Sequence, residues 1–154
     1  MKYVLALDQG TTSSRAILFA ADGSIAGTAQ NELPQIYPNT GWVEHDPYAI
    51  LTSQLSAAVE VLGKSQLRPH DVVALGITNQ RETTIVWDRA TGKPVHKAIV
   101  WQDRRVAPLC KRLIDDGAEA TVQAKTGLLI DSYFSATKIA WIIDNVQGAR
   151  DRAN

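Results

Sequence analysis

The hydrophobic and polar positions at the start of the chain follow the two-residue period of β-strands. Apolar residues alternate with small or polar ones, and two polar turns, one across residues 9–14 and one at Asp22-Gly23, interrupt the pattern. Short turns of this kind join antiparallel neighbours. The pattern therefore predicts three antiparallel strands, at Tyr3 to Asp8, Arg15 to Ala21 and Ile25 to Leu33.

After these strands the period changes to that of a helix. Pro34 to His45 contains two prolines and an Asn-Thr-Gly turn, which indicates a loop. Asp46-Pro47 has the chemistry of a helix start, because a capping carboxylate precedes a proline at the first helical position. Apolar residues then recur every three or four positions. We predict an amphipathic helix from Pro47 to Leu62, closed by Gly63.

The second half of the chain mixes strand and helix patterns. Val72 to Ile77 is an unbroken apolar run, typical of a strand that is buried on both faces. Shorter strands and then helices follow, and this order predicts an α/β fold with a mixed sheet. The predicted later elements are strands at Thr84 to Trp87 and Ala98 to Trp101, helical spacing from Arg104 onward, and helices at Glu119 to Lys125 and Thr137 to Val146.

Composition narrows the class of protein. The chain has 154 residues, of which 45% are hydrophobic and 21% charged, so we expect a single globular domain with a real core. Sixteen basic and sixteen acidic residues cancel, which argues against nucleic acid as a partner. No run approaches the ~18 apolar residues of a membrane span, and the N-terminus lacks a signal-peptide pattern. With Cys110 as the only cysteine, the cytoplasm is the expected location.

The turn after the first strand, DQGTTSSR at residues 8–15, is the first candidate for chemistry. Gly10 allows close approach of the backbone, and residues 11–14 contribute four hydroxyls that could converge on a phosphate. Arg15 could add a charged contact, and Asp8 could hold Mg²⁺ through water. A purely structural polar hairpin explains the same residues, and neither the P-loop pattern nor G-x-G-x-x-G occurs in the chain.

Two further polar stretches follow strand candidates. Arg81 and Glu82, in TNQRET, could offer donors and acceptors to a small polyol, although a solvated turn with a surface ion pair is the alternative. Trp101, before QDRR, could form an apolar wall for a carbon backbone or simply belong to the core. The remaining candidate ligands lack metal-ligand spacing and are interpreted as structural or surface residues: His45, His70, His96 and Cys110.

Four stretches in this order, DQGTTSSR, GWVEHDP at 41–47, ITNQRET at 77–83 and WQDRR at 101–105, resemble the N-terminal region of the glycerol kinases. Those enzymes belong to the FGGY carbohydrate kinases, within the superfamily of actin, hexokinase and the Hsp70 ATPases. The resemblance continues through TGL at 126–128 and DSYFS at 131–135. It implies a ribonuclease H-like mixed sheet flanked by helices, incomplete here, with residues 1–154 as the N-terminal part of the first kinase domain.

The resemblance also implies an activity, the ATP- and Mg²⁺-dependent phosphorylation of glycerol to sn-glycerol 3-phosphate, by an enzyme that is a homo-oligomer at full length. It implies that glycerol is bound by Arg81, Glu82 and Tyr133 through hydrogen bonds and by Trp101 through packing. It further implies contacts with ATP or ADP phosphates from Thr11, Thr12, Ser13 and Arg15, a contact of Thr11 with the product phosphate, and Asp8 near Mg²⁺.

Glycerol kinases are much longer than this chain. The resemblance implies that the general base and the adenine pocket lie outside these 154 residues, so no residue here is assigned as the base, and the chain alone is expected to be inactive. Two alternatives stay open. The chain could come from a relative that phosphorylates another polyol or sugar, or it could be a non-catalytic nucleotide-binding module of actin-like fold.

Overall fold

The computed structural model describes residues 2–153, which form β-strands and helices in mixed order. The strands are β1 (Tyr3–Gln9), β2 (Ser13–Ala20), β3 (Ile25–Glu32), β4 (Glu44–His45), β5 (Val72–Asn79) and β6 (Ala98–Ile99); the α-helices are α1 (Pro47–Lys64), α2 (Ala107–Asp115), α3 (Glu119–Thr126), α4 (Ser135–Asn145) and α5 (Ala149–Arg152), and a 3₁₀ turn spans Pro69–Asp71. The chain packs into two compact units. One contains the residues up to Gln35 with Asp46–Gln80, and the other contains Ile36–His45 with the residues from Arg81 onward.

The first unit is built on a four-stranded sheet in the order β3-β2-β1-β5. The three predicted strands β1, β2 and β3 are confirmed as antiparallel neighbours, and β5 pairs with β1 in parallel. The sheet is therefore mixed, which confirms the predicted α/β class. Helix α1 covers one face of β1–β3, where apolar side chains from sheet and helix form the core: Leu5, Ala16, Leu18, Ala29, Ala57 and Val61.

Helix α1 begins where the sequence predicts and ends later. The carboxylate of Asp46 accepts a hydrogen bond of 2.8 Å from the backbone N–H of Tyr48, and proline occupies the first helical position. The prediction that Gly63 closes the helix is wrong, since the helix runs on to Lys64 and is capped by Ser65. Gln66, in the left-handed conformation with φ 54°, turns the chain away.

Strand β5 differs from its prediction in burial. Its sequence predicts a strand buried on both faces, but Leu75 is 53% and Ile77 74% exposed. The cause is its place in the sheet. Within the described residues β5 is an edge strand whose one neighbour is β1, and α1 packs over β1, β2 and β3 instead.

The second unit contains a short sheet where the sequence predicts a loop. β4 pairs antiparallel with β6, and Ile36 forms a further bridge to Glu44, so the predicted loop from Pro34 to His45 ends in a strand. The predicted strand at Thr84 to Trp87 is also corrected. Its residues form single bridges, Thr84 with Ile99 and Trp87 with Pro94, around the turn at residues 88–92.

The helices of the second unit match their predicted positions within three residues, and α5 is an addition to them. Helix α2 starts at Ala107 rather than at Arg104, because Arg104 and Asp103 belong to the turns before it. Buried apolar residues of this unit include Cys110 of α2, Ile142 of α4 and residues 98–100. No helix among residues 2–153 is long and apolar enough to cross a membrane.

Candidate functional site

The turn between β1 and β2 is held in place through its own backbone. The N–H of Gly10 donates to the carbonyl of Ser13 at 2.9 Å, and an added Cβ at Gly10 would lie only 2.9 Å from that carbonyl oxygen. The carbonyls of Thr11 and Thr12 accept hydrogen bonds from Gln35 Nε2 and from the N–H of Leu33, both at 2.8 Å. These bonds occupy the electronegative carbonyls, which would repel an anion.

The hydroxyls of this turn divide into two groups. Thr12 is exposed and Ser13 half-buried, and neither hydroxyl has a hydrogen-bond partner within the described chain. Ser14, predicted as a fourth phosphate donor, is fully buried, and its hydroxyl contacts Gln9 Oε1 at 2.9 Å and the Ser53 hydroxyl of α1 at 2.6 Å. That prediction is wrong, because alternation along β2 turns Ser14 toward the helix. Ser14 supports the turn from inside.

Arg15 and Asp8 lie directly opposite each other on neighbouring strands, so both side chains are on the sheet face away from α1. Arg15 Nε donates to Gln30 Oε1 at 2.9 Å, across to β3. Asp8 is half-buried, and its carboxylate has no hydrogen bond or ion pair in the part of the chain that the structure describes. The first unit therefore brings a hydroxyl turn, a guanidinium and an unpaired carboxylate to one end of its sheet.

In the second unit, Glu82 has an unusual backbone conformation. Its φ of 64° is left-handed, which costs a residue with a side chain of this size about 1–3 kcal/mol. The conformation is supported from α4, where the N–H and hydroxyl of Ser135 donate to Glu82 Oε2 at 3.1 and 2.8 Å. The carboxylate thus caps the helix N-terminus. The other oxygen, Oε1, has no partner among residues 2–153.

Trp101 and Tyr133 form an aromatic pair, and Tyr133 lies just before α4, the helix that Glu82 caps. Their ring centroids are 5.8 Å apart at 67°, an edge-to-face contact, and Tyr133 makes a second such contact with Phe134 at 5.1 Å. Both Trp101 and Tyr133 are half-buried. Of the predicted residues, Glu82 is therefore bonded to Ser135 at the start of α4, and Tyr133, just before that helix, contacts Trp101.

Arg81 differs from these three residues. It precedes Glu82 in the chain, is exposed, and has neither a hydrogen bond nor an ion pair with any described residue. The predicted alternative, a surface ion pair in this turn, does not occur between Arg81 and Glu82. The guanidinium is thus free to meet a ligand.

A buried charged cluster in the second unit is absent from the sequence predictions. Arg105 donates to both carboxylate oxygens of Asp103 at 2.9 Å and to Glu44 Oε1 at 2.8 Å. Its guanidinium carbon lies 3.9 Å from the ring centroid of Trp42 and 4.6 Å from that of Trp141. Arg104 and Arg105 are neighbours of the same residue type, so no pattern in the sequence predicts that Arg105 is buried and Arg104 exposed.

Lys138 is the second residue that the sequence predictions missed. It is fully buried in α4, where a lysine is normally at the surface, and its Nζ donates to main-chain carbonyls. Burial lowers the pKa of Lys138 to about 8. The available signal is its spacing, four residues before the buried Ile142 on the same helix face.

The structure also bears on residues without an assigned role. Asp103 is fully buried and bonded to Arg105 and to the N–H of Val43, so its carboxylate is not accessible to a ligand, whereas Asp131 forms an exposed ion pair with Arg104 at 3.3 Å. His45, interpreted as a loop residue, is buried in β4, and burial lowers its pKa. No three potential metal ligands cluster within the described range 2–153.

Comparison with known proteins covers nearly the whole chain. Residues 3–154 match the N-terminal domain of the FGGY family of carbohydrate kinases. The chain is 61% identical over 153 residues to a glycerol kinase of Variovorax paradoxus and 62% identical over 152 residues to one of Stenotrophomonas maltophilia, in each case over 99% of this chain. It spans only 31% and 30% of the length of those two proteins.

Solved structures agree in fold. The crystal structure of Plasmodium falciparum glycerol kinase with ADP superposes with a TM-score of 0.89 at 36% identity, over 99% of this chain and 30% of that one. A xylulose kinase from Rhodospirillum rubrum superposes with a TM-score of 0.87 at 21% identity, over 98% of this chain and 31% of that one. The second likeness shows the fold alone. Together they confirm the predicted fold, that of the sugar kinases of the actin and hexokinase superfamily.

Proposed function

The chain belongs to the FGGY family of carbohydrate kinases, and on that basis we propose that it forms part of an ATP-dependent glycerol kinase. The observation that carries the proposal is the similarity of the whole chain, at 61% and 62% identity, to proteins named glycerol kinase. Since the chain spans about 30% of their length, the catalytic unit we propose is the complete protein. The general base is assigned to no residue of this chain.

We propose that the β1–β2 turn binds the phosphates of ATP or ADP. Thr11, Thr12 and Ser13 supply hydroxyls and Arg15 a fixed positive charge, and Thr11 also contacts the phosphate of the product. Phosphoryl transfer depends on positioning and charge neutralisation, so a rigid turn with several donors suits the reaction. The occupied carbonyls of Thr11 and Thr12 support this role, because they leave donors to meet the anion.

Mg²⁺ fits Asp8. Proteins hold this ion with one or two carboxylates, while water and the nucleotide phosphates complete its coordination. The half-buried carboxylate of Asp8 has no partner within the described residues, beside the turn that we assign to phosphate. The ion would neutralise charge on the transferred group, and Asp8 would hold it through water.

We propose that glycerol binds at the start of α4 in the second unit. Glu82 Oε1 accepts a hydrogen bond from one glycerol hydroxyl, and the phenol hydroxyl of Tyr133 donates to or accepts from another, since the described residues provide partners for neither group. Arg81 donates from the exposed turn, and the ring of Trp101 packs on the carbon chain.

We also propose a cytoplasmic location. The single cysteine, Cys110, is buried and not in a disulfide, which agrees with that location.

The experiment separates the two ligands by kinetics. The complete protein that contains this chain is assayed for glycerol 3-phosphate formation, and KM is measured for glycerol and for ATP in wild type, Thr12→Val and Arg81→Met. Arg89→Met is the matched control, because Arg89 is exposed in the 88–92 turn. Loss of a charged hydrogen bond costs about 1.5–3 kcal/mol, so Arg81→Met should raise the KM for glycerol about 10- to 100-fold with little change for ATP.

For Thr12→Val we expect the opposite, a change in the KM for ATP and not in the KM for glycerol. Loss of one neutral hydrogen bond, about 0.5–1.5 kcal/mol, should make Thr12→Val raise the KM for ATP about 2- to 10-fold and leave glycerol unchanged. Turnover of another polyol but not glycerol would favour a different FGGY specificity. ATP binding without any transfer would favour a non-catalytic nucleotide-binding module.

A further inference from the structure

Lys138 connects two of the residues that we assign to glycerol. Its Nζ donates to the main-chain carbonyl of Glu82 at 2.9 Å and to that of Tyr133 at 2.5 Å. These carbonyls are 51 positions apart in sequence by their numbers, and one ammonium holds them both. The side chain of Lys138 is fully buried, so the contact is not a surface encounter that water could replace.

Glu82 depends on this support more than an ordinary residue would. A left-handed φ persists only where the surroundings over-determine it. At Glu82 they do so from two sides, since Ser135 holds the carboxylate through Oε2 and Lys138 holds the carbonyl. With both in place, the direction of the remaining carboxylate oxygen, Oε1, is fixed relative to the backbone.

Tyr133 is fixed in a comparable way. Its N–H donates to Asp131 Oδ1 at 2.7 Å, its carbonyl accepts from Lys138, and its ring contacts Trp101 edge to face. The backbone on both sides of the Tyr133 side chain is therefore anchored. A shift of the lysine would move Tyr133 and Glu82 together.

Burying an ammonium is unfavourable, and only part of the penalty is offset here. Burial lowers the pKa of Lys138 to about 8, while the carboxylates of Glu82, Asp103 and Asp131 act in the opposite direction. An apolar side chain at this position would avoid the penalty, but it would remove the lysine's hydrogen bond to the carbonyl of Tyr133 and leave the carbonyl of Glu82 with the longer contacts from the Thr84 and Ser135 hydroxyls, at 3.3 and 3.5 Å. These two effects on stability oppose each other, so stability alone does not explain a lysine at this position.

We propose that Lys138 is a positioning residue for the substrate: by holding the carbonyls of Glu82 and Tyr133, its ammonium sets the geometry of the side chains that bind glycerol. This inference rests on the proposed function. It adds a residue that does not touch glycerol and acts on glycerol binding through the two residues that do.

The test uses three variants of the complete protein. Lys138→Met removes the donors at similar length, Lys138→Gln keeps two N–H donors without the charge, and Lys111→Met is the control, since Lys111 is exposed on α2 in a surface pair with Asp115. KM for glycerol and for ATP and kcat are measured for each, after circular dichroism has shown that the variant is folded.

Displacement of binding groups by about 1 Å can cost about 100-fold, so Lys138→Met should raise the KM for glycerol about 10- to 100-fold and the KM for ATP less than about two-fold. Lys138→Gln should fall between Lys138→Met and wild type. A merely structural lysine would instead change the amount of folded enzyme, and with it the rate, without separating the two KM values.

Other results would overturn the inference. If wild type phosphorylates glycerol and the KM for glycerol in Lys138→Met equals that in Lys111→Met, Lys138 does not position the substrate, and the proposed function stands. If wild type does not phosphorylate glycerol, both proposals are wrong. If Lys138→Met does not fold, Lys138→Gln decides: a raised KM for glycerol alone supports the inference, and equal changes for both substrates refute it.

Discussion

Replacement of Arg105 by methionine should open the second unit locally, because this guanidinium is the centre of its buried charges. The guanidinium of Arg105 donates two hydrogen bonds to Asp103 and one to Glu44, and the side chain has no exposed surface. Asp103 in turn accepts the backbone N–H of Val43 at 2.7 Å. Arg105→Met keeps much of the side-chain volume between Trp42 and Trp141 but leaves two buried carboxylates without their cation.

The magnitude follows from that imbalance. Removal of one partner from a buried ion pair costs about 3–5 kcal/mol, since the other charge stays desolvated. At 1.4 kcal/mol for each factor of ten, the N–H of Val43 should exchange with solvent about 100- to 3,000-fold faster. Arg104→Met is the matched control, because its ion pair with Asp131 is exposed at both ends and contributes about 0–1 kcal/mol, less than about a five-fold change.

Hydrogen exchange followed by mass spectrometry on peptides that contain Val43 measures both variants in the complete protein. We expect a large difference in exchange rate between the two variants, because the neighbouring arginines differ only in their surroundings. Equal acceleration in Arg105→Met and Arg104→Met would refute this prediction, since the buried cluster would then contribute no more than a surface pair. Acceleration confined to Arg105→Met would support it.

Three further predictions concern other parts of the chain. Burial lowers the pKa of His45 below its ordinary value of 6.5, so the unfolded state takes up more protons than the folded state as the pH falls. The free energy of unfolding should therefore be at its full value above about pH 6.5 and decrease below that pH. Urea titrations at several pH values should show a smaller decrease in His45→Gln than in wild type. Asp46→Ala removes the α1 cap and should cost about 1 kcal/mol, measured as faster exchange at the Tyr48 amide. Gly10→Ala places a Cβ 2.9 Å from the carbonyl oxygen of Ser13 and should raise the KM for ATP but not for glycerol; an unchanged KM for ATP would contradict the role of the turn.

Local chemistry was enough to predict the elements whose signals are local. Alternation in β1 and β2 and the Asp46-Pro47 cap at α1 require no knowledge of distant residues, and the structure confirms them. The burial of β5 was predicted wrongly because burial depends on what packs against a strand, which an apolar run cannot specify. The pairing of β4 with β6 was missed for the same reason, since its partners are more than 50 residues apart.

The candidate site divides along a similar line. Arg81, which we propose as a glycerol ligand, stands out in sequence because polar residues cluster around it, whereas Tyr133 was predicted only from the resemblance to the glycerol kinases. Residues that hold them do not stand out. Lys138 has the composition of a surface helix position, and its role is visible only when the carbonyls it contacts are brought together by the fold.

The two candidate ligand sites show the same physical arrangement in separate units. At the β1–β2 turn, hydrogen bonds to the carbonyls of Thr11 and Thr12 and the buried hydroxyl of Ser14 fix a segment in which the hydroxyls of Thr12 and Ser13 have no partner within the described residues. At the start of α4, Ser135 and Lys138 fix Glu82 and leave its carboxylate oxygen Oε1 without a hydrogen-bond partner among the described residues. A ligand that meets pre-oriented groups loses less conformational entropy on binding. Variants of the inner, holding residues should therefore weaken binding of one ligand each, even though none of them contacts it.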